Sequence, residues 1–167
     1  MKTRFYIYVV LFLVLFGLNF CNKKSPDENI GEFNEDFFNL YVPELGTSRL
    51  LVKSDLPQHQ QQFFDEANGQ LQLLADLNEN EIPEYFVAGV SETGLRKRIK
   101  KPYFIAVFER QTTGIKRLFF QQVFVPPVNF NLTNVENEPR VVISFAFSSD
   151  YGAEIYYHNG EFRLESW

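Results

Sequence analysis

The stretch "ADLNENEIPEYFVAG", residues 75–89, places Asp76, Asn78, Asn80 and Glu84 at even spacing immediately ahead of an apolar run. From Leu71 onward the sequence changes period. Short runs rich in β-branched and aromatic residues alternate with polar turns, which is the pattern of strands rather than helices. The predicted strands are 70–75, 84–91, 102–110, 115–125, 139–147, 152–158 and 161–166. Within the last pair, "EIYYHNGEFRLE", the dipeptide Asn159-Gly160 is the preferred type I′ hairpin turn, and alternation sends Phe162 and Leu164 to one face of the sheet.

Upstream of the strands the spacing is helical. "FNEDFFNLYVPEL" carries Phe33, Phe37, Phe38, Leu40 and Tyr41 at roughly helical intervals and stops at Pro43, which predicts a short helix or turn. In "SDLPQHQQQFFDEANGQ", Ser54 or Asp55 supplies a cap and Pro57 suits the first turn. Leu56, Phe63, Phe64 and Ala67 form the expected buried stripe, and Asn68-Gly69 ends the helix. One or two helices followed by an antiparallel run of strands predict an α+β fold, mainly antiparallel β-sheet. The 55–68 helix is expected to cover a sheet edge or face.

The N-terminus has the layout of an export signal: Lys2 and Arg4 precede an uncharged run from Phe5 to Phe20 that ends at Cys21, the only cysteine. That run is shorter than the about 20 residues a bilayer-spanning helix needs, and the polar "NKKSPDEN" follows directly. A single thiol has no disulfide partner. Its position resembles the lipobox of bacterial lipoproteins, in which this cysteine is lipidated and becomes the first residue of the mature chain. Leu18 matches the residue usual at minus three, whereas Asn19 and Phe20 stand where small residues are usual, so the resemblance is to a relaxed lipobox. It implies a signal peptide over 1–20, a lipidated cysteine and flexible tether over 21–32, and one domain over 33–167, held at a bacterial membrane on the periplasmic side or at the cell surface. The other readings of this segment are an uncleaved signal anchor and a secreted protein with an incidental cysteine.

Charge narrows the partners. The chain carries 16 basic and 21 acidic side chains, a net −5, and loss of Lys2 and Arg4 with the leader makes it more acidic still. That argues against nucleic acid as a partner. Without disulfides, stability has to come from apolar burial, for which 19 Phe and 8 Tyr are available.

The 75–89 stretch then raises a chemical question. Hard cations such as calcium take several oxygen ligands. A loop with Asp or Asn at its first, third and fifth positions, a carbonyl at the seventh and an acid at the ninth wraps them around one ion. Asp76, Asn78, Asn80, the carbonyl of Ile82 and Glu84 fit those positions. With "YFVAG" following as a strand, the segment resembles the "DxNxDGxxE" loop of FG-GAP, or VCBS-type, repeats, the integrin-type propeller blade that often binds calcium. Glu81 stands where that family has its glycine, and Asn80 replaces an acid. A fainter copy, "LTNVENEPRVVISFAF" at 132–147, sets Asn134, Glu136 and Asn137 before another strand, about 58 residues after Asp76 and so at the scale of a blade. The resemblance implies propeller-blade-like sheets, too few for a closed propeller, and a calcium site in the 76–84 loop. The competing reading is a polar turn, since Asp and Asn are good turn residues and Pro83 fixes the approach to the strand.

Other chemistry is sparse. His59 sits in "QHQQQ" on a polar helix face and His158 flanks a hairpin turn, so both read as surface residues. No nucleophile elbow, zinc-protease pair or phosphate-binding glycine loop is present, and no catalytic residue is assigned. The segment "GLRKRIKKP" concentrates Arg96, Lys97, Arg98, Lys100 and Lys101 in a loop between strands, where a solvated loop competes with contact to an anionic surface of lipid headgroups or acidic glycan. The function expected is therefore a lipid-anchored cell-envelope module, structural or binding a protein or glycan partner. The alternative is an exported enzyme or enzyme accessory factor whose site forms only on folding.

Overall fold

A computed structural model describes residues 33–66, 68–145 and 151–167. The leader, Cys21 and the tether lie outside the described residues, as do Ala67 and the last two residues of the expected 139–147 strand. Among the described residues no helix is long and apolar enough to cross a membrane.

The fold is α+β and mainly antiparallel sheet. Helix α1 (Glu35–Tyr41) leads to strand β1 (Ser48–Leu50), helix α2 (Gln58–Glu66), and strands β2 (Gln72–Ala75) and β3 (Glu84–Ser91). A third, five-residue helix α3 (Glu92–Arg96) precedes β4 (Tyr103–Gln111), β5 (Gly114–Val123), β6 (Pro127–Val135), β7 (Glu138–Phe145), β8 (Gly152–His158) and β9 (Glu161–Ser166). Asn34 starts α1 by accepting the Phe37 N–H at 2.9 Å, and Glu35 and Asp36 sit in its first turn, where the helix dipole favours acids. Val42 and Pro43 end it.

Two open sheets result. In the first, β1 and β2 lie end to end along β3, with Leu50 opposite Gly89 and Gln72 opposite Val87. The gap is bridged by Leu51 N–H donating to the Ala88 carbonyl and Ala88 N–H donating to that of Leu71, each at 2.9 Å. They act as one edge strand interrupted by α2, so sheet 1 runs β1/β2, β3, β4, β5. Sheet 2 is the meander β6-β7-β8-β9. No barrel closes.

Sheet 1 is the middle layer. On one face Phe86, Ala88, Val90, Ile105 and Val107 share a core with Val128, Phe130, Val141, Ile143 and Ile155 of sheet 2. On the other face Val87, Phe104, Ala106 and Phe108 pack against Phe33, Phe37, Phe38, Val42 and Leu45 of the N-terminal segment. Phe38 meets Phe104 edge-on at 5.6 Å, and Phe37 meets Phe108 at 5.0 Å. Burial on both faces explains why "YFVAGVS" and "YFIAVF" read as unbroken apolar runs. Gly89 is required here: a Cβ at this position would lie 2.0 Å from the Phe104 ring.

Gln60 and Phe64 of helix α2 turn inward together with Leu56 just ahead of it, at four-residue spacing, while Phe63 is exposed. The expected stripe was thus misplaced at Phe63, because the true period selects Gln60. The helix packs on β6, the edge of sheet 2. That edge is closed further by Phe130 N–H donating to the Gln70 carbonyl at 2.9 Å and Gln70 N–H donating to Asn129 Oδ1 at 2.8 Å.

Candidate functional site

The loop between β2 and β3 folds around its own side-chain oxygens. Asn80 N–H donates to Asn78 Oδ1 at 3.0 Å and to Asp76 Oδ1 at 3.2 Å, Glu81 N–H to Asp76 Oδ2 at 2.9 Å, and Ile82 N–H to Asn80 Oδ1 at 2.8 Å. Glu79 and Glu81 adopt positive φ, +57° and +68°. Glu81 therefore occupies a backbone position better suited to glycine.

At the foot of the loop lies Glu84, the first residue of β3, fully buried. Its Oε2 accepts the Leu77 N–H at 2.8 Å, whereas its Oε1 is buried with no hydrogen-bond partner. Burial, opposed by the Leu77 bond and reinforced by the charges of Asp76 and Glu109, pushes its pKa up to about 7. Such an orphaned oxygen is expensive to bury.

The register brings in a residue that the sequence did not suggest. Glu109 of β4 is the cross-strand partner of Glu84 and is itself buried. Gln111 Nε2 donates to its Oε1 at 2.7 Å, and Asn80 and Asn78 donate their amides to its Oε2 at 2.7 and 3.3 Å. Those bonds, that of Gln111 foremost, hold its pKa below the usual carboxylate range. No local motif marks Glu109 in the sequence, because strand pairing alone places it opposite Glu84.

The oxygens of Asp76, Asn78, Asn80, Ile82 and Glu84 thus belong to one loop, and the unpartnered Glu84 Oε1 is what a cation would satisfy. Among the described residues no three or more His, Cys, Asp or Glu side chains form a metal-holding group. A cation here relies on the Asn amide oxygens and the Ile82 carbonyl as much as on Asp76 and Glu84. That donor set, all oxygen and with few charges, fits calcium rather than a transition metal. Beside it opens a polar cleft of about 510 Å³ lined by Asn78, Asn80, Glu109, Lys116, Tyr157 and Glu161 among others.

The fainter copy at 132–147 takes a simpler form. Glu136 and Asn137 are the two central residues of the tight β6–β7 hairpin, both at positive φ, +54° and +69°, as a type I′ turn requires. They occupy the connection between the first and second strands of sheet 2, just as the 76–84 loop connects the corresponding strands of sheet 1.

The five basic residues lie elsewhere. Arg96 ends α3, Lys97, Arg98 and Lys100 are exposed, and Lys101 is half-buried with its Nζ 4.4 Å from the centre of the Phe124 ring. His59 and His158 are both exposed, and neither lines the cleft beside the loop. No protein-family model, curated protein or solved structure matches the chain.

Proposed function

We propose that the chain is a bacterial cell-envelope lipoprotein, anchored through Cys21, whose β domain is a structural or partner-binding module with a calcium-binding Asp76–Glu84 loop. The observation that carries the metal assignment is the buried, unpartnered Glu84 Oε1, beside Asp76 and opposite Glu109. An ion held by Asp76, Asn78, Asn80, the Ile82 carbonyl and Glu84 neutralises carboxylates that otherwise repel. The equivalent placing of the two turn segments, each between the first two strands of its sheet, supports the blade-like repeat. The anchor rests on the residues around Cys21.

Calorimetric titration tests the loop. Calcium is expected to release heat and raise the melting temperature of the wild type and to do neither in Asp76→Ala. No heat and no melting shift at millimolar calcium, the weak end of the range for extracellular modules, would reduce the loop to a turn. Palmitate labelling tests the anchor: label is expected in the wild type and lost in Cys21→Ala, and membrane retention equal in both without label refutes it.

The enzymatic alternative draws on the same acids, since a glutamate pushed up to about 7 beside one held low is how acid–base pairs are separated. Full burial of Glu84 favours the structural reading.

A further inference from the structure

The two ends of the paired sheets differ in chemistry. The turns and adjoining strand ends at one end carry Asp76, Glu79, Glu81, Glu136 and Glu161, with Arg110 and Lys116 among them, whereas the other end carries Arg96, Lys97, Arg98, Lys100 and Lys101. Register fixes this arrangement. β3 runs from the acidic end at Glu84 to the basic end at Ser91, and β4 returns from Tyr103. The starts of β6 and β8 and the ends of β5, β7 and β9 gather at the basic end.

Large apolar side chains are exposed at that same end. Leu95 is 43%, Ile99 41% and Phe124 58% exposed, and all three are adjacent in sequence or contact to the cations. Phe124 also lines an apolar groove of about 370 Å³ with Phe145, Tyr151 and Leu164. Trp167 borders it, its ring packed against Gly152, and both Tyr151 and Trp167 are largely exposed.

The cations sit on a fixed base. Ser91 Oγ accepts the Gly94 N–H at 2.8 Å to cap α3 and donates to the Leu45 carbonyl at 2.7 Å. Glu92, the nearest acid in sequence, is engaged by Arg49 at 3.0 Å and Arg96 at 3.6 Å. Among the described residues Lys97, Arg98 and Lys100 are left facing solvent without an ion pair.

We infer that this end is a membrane-contact surface: Lys97, Arg98 and Lys100 engage the headgroups of an anionic bilayer while Ile99, Phe124 and Trp167 enter its interfacial zone. Clustered cations are drawn to a negatively charged leaflet within a Debye length. Aromatic rings with one polar edge settle at headgroup depth. Neither feature alone specifies a bilayer, since a solvated loop needs no apolar neighbours and a protein-binding patch needs no unpaired cations. Their coincidence at one end, with acids concentrated at the other, matches an anionic apolar boundary. The inference shares with the proposed function only the premise that the domain lies beside a membrane.

Trp167 is the sole tryptophan, so its emission reports this surface alone. The full chain is mixed with phosphatidylcholine vesicles, or with phosphatidylcholine–phosphatidylglycerol vesicles, both bearing brominated acyl chains. Trp167 quenching is expected to be several-fold stronger with phosphatidylglycerol and to fall as salt is raised. Both Lys97→Glu/Lys100→Glu and Phe124→Ser should abolish it with melting temperature unchanged; Arg98, at φ +52°, is left intact to avoid backbone effects. Equal quenching by both vesicle types, or quenching that survives the charge reversal, overturns the inference. So does salt-sensitive binding of polygalacturonate with no vesicle quenching, which would assign the surface to an acidic glycan. Sedimentation with vesicles separates the two ideas. Retention without Trp167 quenching leaves the anchor standing and the contact refuted, whereas quenching by phosphatidylglycerol with no retention on neutral vesicles does the reverse.

Discussion

Each sheet sets two glutamates directly opposite one another across neighbouring strands, Glu84 with Glu109 in sheet 1 and Glu154 with Glu165 in sheet 2. Like charges in that relation repel, and the two sheets resolve it differently. On the outer face of sheet 2, Arg140 ion-pairs with Glu154 and stacks over Tyr156, whose hydroxyl donates to Glu165 at 2.6 Å. Counter-charge and solvent satisfy that pair. In sheet 1 the nearest counter-charge, Lys116 across the strands from Glu109, serves Glu109 alone: it and amides from Asn78, Asn80 and Gln111 settle Glu109, and Glu84 keeps one bond and one orphaned oxygen. A middle layer covered on both faces leaves its end residues little water, so a carboxylate there with too few amide partners, as Glu84 is, needs a cation or a proton.

The largest difference between the sheets should appear when the cover of sheet 1 is removed. Phe38 is fully buried between α1 and the sheet, and Phe38→Ala is expected to cost about 3–5 kcal/mol. Val142, cross-strand from Glu154 on the outer face of sheet 2, should cost under about 1.5 kcal/mol as Val142→Ala, because among the described residues no second layer covers that face. Urea denaturation measures both, and similar losses would mean that α1 is not integral to the core.

The glutamates give the next effect. Glu84 holds its proton up to about pH 7 in the folded chain, against about 4.5 ordinarily. Between those values the native state binds more protons than the unfolded one. The stability attached to Glu84 is therefore complete below about pH 4.5 and lost as pH rises through about 7, a change of roughly 2–4 kcal/mol at 1.36 kcal/mol per unit. In chelator at pH 8, Glu84→Gln should be more stable than the wild type, and the difference should vanish toward pH 4.5. Glu154→Gln, which loses its bond to Arg140, should bring no gain at either pH. Asp55, held low by Arg49, titrates alike in wild type and variant, whereas Glu109 faces Glu84 across the strands and is coupled to it, so the difference reads Glu84 together with that coupling.

Calcium should then reverse the order. By mass action an ion at a hundredfold its dissociation constant stabilises the wild type by about 2.7 kcal/mol, and Glu84→Gln, lacking the anionic oxygen, should gain little. Thermal melts of both proteins with chelator and with calcium make the comparison. A variant that gains as much as the wild type would remove Glu84 from the ligand set.

What the sequence revealed follows the same division between the sheets. Seven strands were legible within a residue or two, since β3 and β4 are unbroken apolar runs and β8–β9 turns on Asn159-Gly160, the latter pair at positive φ as expected. β1 was missed because three residues carry no period. β6 was missed although Val128 and Phe130 alternate with Asn129 and Asn131, because Pro126-Pro127 at its start suppress a strand reading. Proline at the start of an edge strand is tolerated, and β6 is such an edge. The even spacing of Asp76, Asn78 and Asn80 drew attention to the loop, and their side-chain oxygens accept its backbone N–H groups. Their partner Glu109 was not legible, and neither was the meeting of Phe124 with Lys101, since both depend on which strands become neighbours.

The smallest effect concerns the two turn segments, and it asks whether the sheet 1 loop is shaped for an ion or is merely a longer turn. Glu81 at φ +68° and Glu136 at φ +54° both hold a left-handed backbone that a glutamate adopts only at some cost. Glu81→Gly and Glu136→Asn each relieve it, and each should gain at most about 1 kcal/mol, since glycine also enlarges the freedom of the unfolded chain. Both side chains are exposed, so little packing is lost. If strain is all that distinguishes the positions, the two gains will be alike and indifferent to calcium. If the loop closes around an ion, Glu81→Gly alone will raise the calcium-dependent part of the melting temperature, because a freer sixth position lets Asp76, Asn80 and Glu84 approach a common centre. The two-residue turn at Glu136-Asn137, too short to wrap anything, is the internal control.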